Sequence, residues 1–167
     1  MKYTSAEAAK YLRKLNEDYT SLISNEEASK EFLASLGEDP ETVRPEYSFS
    51  DTQKSLDILE ESIRKVKHAL NIFNTTHTVP DFGITIDEML VLIPQLTKRK
   101  NKLYEMKSML PKSRAEAYGR NSNIIDYRYA NYSISEAAAE YEKILDLLSR
   151  AQIALDVINN TETMEIE

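Results

Sequence analysis

The sequence predicts an all-α protein, built from long antiparallel helices that form a four-helix bundle or helical hairpins, with one long irregular connector that contains a short strand. Three observations carry this expectation. Apolar residues recur at alternating spacings of three and four along four segments, the stripe of an amphipathic helix. Each segment opens on a hydroxyl residue followed three positions later by Glu or Gln, the pattern of a capping box. The three glycines and five prolines fall between these segments, with Pro94 the exception. At 167 residues the chain fits one helical domain, 1–167, long enough to bury roughly 70% of its extended surface.

The first helix is expected at about 5–36, capped by Thr4 with Glu7, with Ala8, Leu12, Leu15, Tyr19 and Leu22 on one stripe. Ser24 with Glu27 suggests a break before Ala28, Phe32, Leu33 and Leu36 resume the apolar face, and Gly37 is a natural C-terminal stop. Residues 38–50 hold two prolines and no helical period, so they read as a loop. The second helix, 51–73, opens at Ser50 with Gln53 and runs a coiled-coil-like seam through Leu56, Leu59, Ile63, Val66, Leu70 and Phe73. Thr85 with Glu88 caps a third helix, 86–110, whose stripe is Met89, Leu92, Leu96, Leu103, Met106 and Leu110, with a kink expected near Pro94. Ser133 with Glu136 opens the fourth, 134–160, along Ala137, Tyr141, Ile144, Leu148, Ala151, Leu155 and Ile158, and the tail beyond Asn160 should fray. Tyrosines and methionines on these stripes, such as Tyr19, Tyr141, Met89 and Met106, read as core.

The connector, 111–133, is the interval that a helical core does not explain. From Lys112 to Ser133 it holds four of the ten tyrosines (Tyr118, Tyr127, Tyr129 and Tyr132) together with Arg114, Arg120 and Arg128 and with Asn121, Asn123 and Asn131. Lys112 and the three arginines outweigh Glu116 and Asp126, so this stretch is basic within a chain of net charge -7. Planar rings, forked cations and amides suit a planar, anionic ligand such as a nucleotide. The candidate binding residues are therefore Arg114, Tyr118, Arg120, Asn121, Asn123, Tyr127, Arg128, Tyr129 and Asn131, with free N–H groups at the start of helix four as a further anion contact. Tyr and Arg are equally the residues of subunit interfaces, so the same stretch also reads as an interface or a plain connector. Ile125, Tyr127 and Tyr129 alternate with Asp126, Arg128 and Ala130, the period of a strand, for which 75–79 is the expected partner.

The acidic balance argues against nonspecific binding to nucleic acid or anionic membrane, both of which need a basic face. The absence of cysteine excludes thiolate chemistry, disulfides and cysteine-bound metals. The first residues lack the apolar core of a signal peptide, and the longest uncharged apolar stretch, 89–97, is too short to span a bilayer, so a soluble cytoplasmic protein is expected. Catalytic signals are weak. His68 with Arg64 and Glu61 shares a helix face that reads as ordinary solvated charge, and His77, Asp81 and Asp87 are too dispersed for a recognised metal motif. No common nucleotide-binding or hydrolase motif occurs, and neither a metal nor a cofactor is expected.

Asn71 with Asn74 and Thr75, Gly83-Ile84-Thr85 with Asp87, and Gln152 followed by Asn159-Asn160-Thr161 give the C-terminal half a resemblance to the septicolysin-like family of bacterial helical proteins. The resemblance implies an all-helical, oligomeric fold built on long hairpins and no established activity; the Tyr/Arg-rich connector is where this chain departs from it. The function expected is a non-enzymatic helical homo-oligomer that binds, and sequesters, a small anionic nucleotide-like ligand through the connector. The alternatives are a structural oligomer with the connector as subunit interface, and third, a metal- or acid–base-dependent phosphodiester hydrolase.

Overall fold

In the computed structural model, which describes residues 1–115 and 125–166, the fold is predominantly helical with short antiparallel ribbons. Chain contacts group into two compact units, Met1–His77 with Ile158–Glu167 and Thr78–Val157.

In the first unit, strand β1 (Lys2–Thr4) leads directly into helix α1 (Ser5–Ser29). Thr4 caps it as expected: its hydroxyl accepts from the Glu7 N–H, and the Glu7 carboxylate accepts from the Thr4 N–H at 2.8 Å. A one-turn helix α2 (Pro40–Val43) interrupts the segment read as loop, and helix α3 (Phe49–Thr76) returns antiparallel to α1. The pairing is fixed at two levels. Tyr19 donates to Glu60 at 3.2 Å, while Glu26 accepts from Tyr47 at 2.6 Å and from Gln53 at 3.0 Å. Along the α3 seam Leu56, Val66 and Phe73 are buried and Leu59, Ile63 and Leu70 half-buried, while Ala8 and Leu15 are the buried apolar residues of α1.

Five features of this unit differ from expectation. Helix one stops at Ser29 rather than at 36, and Leu33, 96% exposed, lies outside any core. Ser24 does not cap: like Thr20 before it, it turns its hydroxyl back to the carbonyl four residues earlier, so the helix passes through. Gly37 does adopt a positive φ of 90°, but in a turn well past the helix end. Helix two begins at Phe49 rather than at 51, with Ser48 as cap, its hydroxyl accepting from the Asp51 N–H, and the Gln53 amide donates to Glu26 across the hairpin. The tail does not fray after Asn160: strand β4 (Thr163–Glu165) pairs with β1 in the register Lys2–Glu165, Tyr3–Met164, Thr4–Thr163. Met164 is 7% exposed, and β4 lies against α3.

The second unit opens on a tight loop. Thr78 bridges to Thr85, and the Val79 N–H donates to the Ile84 carbonyl at 2.8 Å. The strand pairing expected for 75–79 therefore goes to a neighbour a few residues away, whose closure entropy is far smaller than that of a partner beyond residue 125. Asp81 and Gly83 both sit at φ 65° in this turn. Helix α4 (Ile86–Lys107) carries the Thr85–Glu88 capping box, runs through Pro94, and ends three residues short of the expected 110, leaving Leu110 exposed. Strands β2 (Lys112–Arg114) and β3 (Tyr127–Tyr129) follow, then helix α5 (Ile134–Thr161), whose first turn is capped by Ser133 accepting from the Glu136 N–H. Helices α4 and α5 are antiparallel: Lys107, at the end of α4, lies 3.6 Å from the ring centre of Tyr141 near the start of α5, and Arg99 pairs with Glu140 at 2.6 Å. Met89, Leu96, Leu103, Ala137, Ile144, Leu148 and Ala151 are buried on the expected stripes.

Candidate functional site

The candidate residues that the structure describes gather on the β2–β3 ribbon of the second unit. Its register pairs Lys112 with Tyr129, Ser113 with Arg128 and Arg114 with Tyr127. One further backbone bond extends the ladder at each end, Ala130 N–H to Pro111 at 3.1 Å and Ala115 N–H to Asp126 at 2.9 Å. Directly opposed residues project to the same side of an antiparallel pair, and the side alternates along each strand. One face therefore carries Lys112, Arg114, Tyr127 and Tyr129, two cations and two aromatic rings without a carboxylate. The other carries Ser113 and Arg128.

This face is open to solvent, with Tyr127 49% and Tyr129 62% exposed. The Lys112 ammonium lies 4.1 Å from the Tyr127 ring centre and 5.5 Å from that of Tyr129. An exposed cation–π contact contributes about 0.5–1 kcal/mol, enough to bias the rings and small enough to be displaced by a stacking ligand. The ribbon is anchored at its base. Tyr132, three residues past β3, donates its hydroxyl to the Met106 carbonyl at 2.7 Å, an acceptor in the last α4 turn that also receives the Met109 N–H at 3.3 Å.

The ribbon register separates the expected binding residues. Arg114, Tyr127 and Tyr129 share a face; Arg128 projects to the opposite one, so Arg114 and Arg128 do not grip a ligand from the same side. Asn131 follows the ribbon and is exposed. Tyr118, Arg120, Asn121 and Asn123 lie outside the described residues. Lys112 was absent from the candidate set; its two-residue spacing from Arg114 was the signal that would have placed it beside a tyrosine pair spaced the same way.

Other chemistry is dispersed. Glu61, which shares a helix face with His68 and Arg64 in sequence, is instead held by Lys65 at 2.9 Å, and that hydrogen bond is the leading reason its carboxyl titrates below the usual range. Arg64 pairs with Glu60. Among the described residues no group of three or more His, Asp or Glu side chains is placed to hold a metal ion, and no helix is long and apolar enough to cross a membrane.

Fold and site together define a predominantly helical protein carrying an exposed cationic and aromatic β-ribbon. No family model and no curated protein matches the chain. It is similar in structure to a functionally unknown conserved protein from Corynebacterium diphtheriae, with a TM-score of 0.64 at 14% identity over 99% of this chain and 100% of that one. At that identity the likeness speaks for the fold.

Proposed function

We propose that this protein is a non-enzymatic helical homo-oligomer that binds, and thereby sequesters, a small anionic ligand with a planar ring, of which a nucleotide is the type. The observation that carries the reading is the shared face of Lys112, Arg114, Tyr127 and Tyr129. An anionic group on Arg114 gains a charge-assisted hydrogen bond of about 1.5–3 kcal/mol. A ring stacked on Tyr127 or Tyr129 adds about 1–3 kcal/mol. The membership suggested by the septicolysin-like motifs, an oligomer of hairpins without known activity, is compatible with this role. So is assembly of the two hairpins into a four-helix bundle.

Screening nucleotides and sugar phosphates by thermal shift tests the proposal, since a ligand at about 100 times its dissociation constant stabilises by about 2.7 kcal/mol. For a compound that binds, Arg114→Ala and Tyr127→Ala should each weaken affinity roughly tenfold to hundredfold. Arg128→Ala, on the opposite face, should leave it within about threefold, below the loss expected when a charged contact is removed. Equal losses for Arg128 and Arg114 would mean the ribbon face is not the site.

A second reading is favoured by exposed apolar residues at the ribbon, Met109, Leu110 and Ile125, which suit a subunit interface. On that reading Tyr127→Ala lowers the mass measured by light scattering and leaves ligand binding unchanged.

A further inference from the structure

Both histidines of the chain line one cavity of about 450 Å³ in the first unit, which shares no residue with the β2–β3 ribbon. Its apolar walls come from Ala69, Ile72 and Phe73 of α3 and from Met164 and Ile166 at the β4 strand; Lys65, His68, His77 and Glu165 supply the polar lining. Two of these polar groups have ionic partners: Lys65 is paired with Glu61 at 2.9 Å and Glu165 with Lys2 at 3.7 Å. His77 is held differently. Its Nδ1 lies 3.0 Å from the Phe73 carbonyl oxygen and 3.2 Å from the Thr76 hydroxyl. That hydroxyl already gives its one proton to the Ile72 carbonyl at 2.7 Å, so toward His77 it can only accept. Both neighbours of Nδ1 are thus acceptors, which requires the proton of the neutral ring to sit on Nδ1 and leaves Nε2 with a bare lone pair. The ring is also fixed in place, stacked on Phe73 with centroids 4.0 Å apart, and Phe73 is 1% exposed. Among the described residues nothing donates to Nε2.

A pre-oriented acceptor on the wall of a mostly apolar cavity recognises a donor, and a cavity of this size falls in the range of small-molecule sites. The aliphatic walls and the Met164 thioether suit an aromatic body. We propose that this cavity binds a small planar aromatic molecule bearing a single N–H or O–H donor, which bonds to His77 Nε2 while its ring packs against Ile72, Met164 and Ile166. The site is independent of the ribbon and would stand if the ribbon bound nothing.

Indole and 1-methylindole are a matched pair of probes that differ in the donor. In a long-range proton–nitrogen spectrum the free protein should show His77 protonated at Nδ1, and indole should move the Nε2 resonance saturably. 1-Methylindole should bind several-fold to about tenfold more weakly, the range of one neutral hydrogen bond. His77→Phe keeps an aromatic ring at this position but removes the acceptor, so it should abolish the difference between the probes and retain the weaker affinity. Ala69→Trp fills the cavity and should abolish binding of both. A ring protonated at Nε2, no saturable shift with indole, equal affinities in the unaltered protein, or discrimination that survives His77→Phe would each overturn the proposal.

Discussion

Two ribbons of the same size, each three residues paired with three, behave in opposite ways in this molecule. In β1–β4 the central residue of one strand, Met164, is buried and the ribbon lies on α3. In β2–β3 all three residues of β3 are exposed, and of β2 only Ser113 is even half-buried. A two-stranded ribbon has marginal stability by itself, so each needs an external anchor. The first has an apolar one. The second has the Tyr132 hydroxyl on α4 and the Lys112 ammonium over its tyrosines, polar contacts that leave a whole face uncovered. The lesson is that strand pairing alone says nothing about role; what the alternate residues touch decides whether a ribbon holds the fold or presents chemistry.

The largest effect that separates the two should come from truncating one residue in each. Met164→Ala is expected to cost about 2–5 kcal/mol by chemical denaturation, from lost burial and the cavity left behind. Tyr129→Ala should stay within about 0.5 kcal/mol, as ordinary surface substitutions do. Similar costs would erase the distinction. Smaller effects should follow at the hydroxyl residues that couple each ribbon to its helix. Thr4→Ala and Ser133→Ala should both fall within about 0.5–2 kcal/mol. Thr4 should be the costlier, because its hydroxyl also donates to the Glu7 carboxylate at 3.1 Å, and the reverse order would show that this contact adds nothing to a single cap.

The smallest effect is a pH dependence at the same cap. The Glu7 carboxyl titrates below its usual range, first because it accepts from the Thr4 backbone N–H and then from the Thr4 hydroxyl; Glu88 is lowered by the same two contacts from Thr85. A carboxyl whose folded value is depressed contributes stability that is complete above its unfolded value and disappears as pH falls through the folded one. Melting temperature should therefore decline on acidification through the carboxylate range. Glu7→Gln and Glu88→Gln should each flatten that decline, and an unchanged slope would assign it to other groups.

The helices were legible because their signals are local. The α3 stripe and the Thr4–Glu7 and Thr85–Glu88 boxes depend on residues a turn or two apart, and the structure forms all of them. What the sequence could not announce depends on partners far along the chain. Helix α1 ends at Ser29, just past the level where Glu26 receives Tyr47 and Gln53, although its apolar pattern continues to Leu36. The β4 strand reads as a polar tail until Lys2 to Thr4 lie beside it. At the candidate site the alternation of Tyr127 and Tyr129 was visible. The partner strand was not, and only its register tells Arg114 from Arg128.

The register of the first ribbon also sets what it costs to close the chain. Pairing residues 2–4 with 163–165 closes nearly the whole chain, whereas pairing 112–114 with 127–129 closes a short loop. For a flexible chain the closure entropy grows with the logarithm of loop length, a difference of about 2 kcal/mol here before any contact offsets it. The ribbon that anchors the fold is therefore the costlier of the two to close from an unfolded chain. The exposed ribbon closes the shorter stretch of chain and carries the smaller closure cost. Ease of closure and structural importance run opposite ways in this protein, and the costlier ladder runs on through the two backbone bonds between Met1 and Ile166.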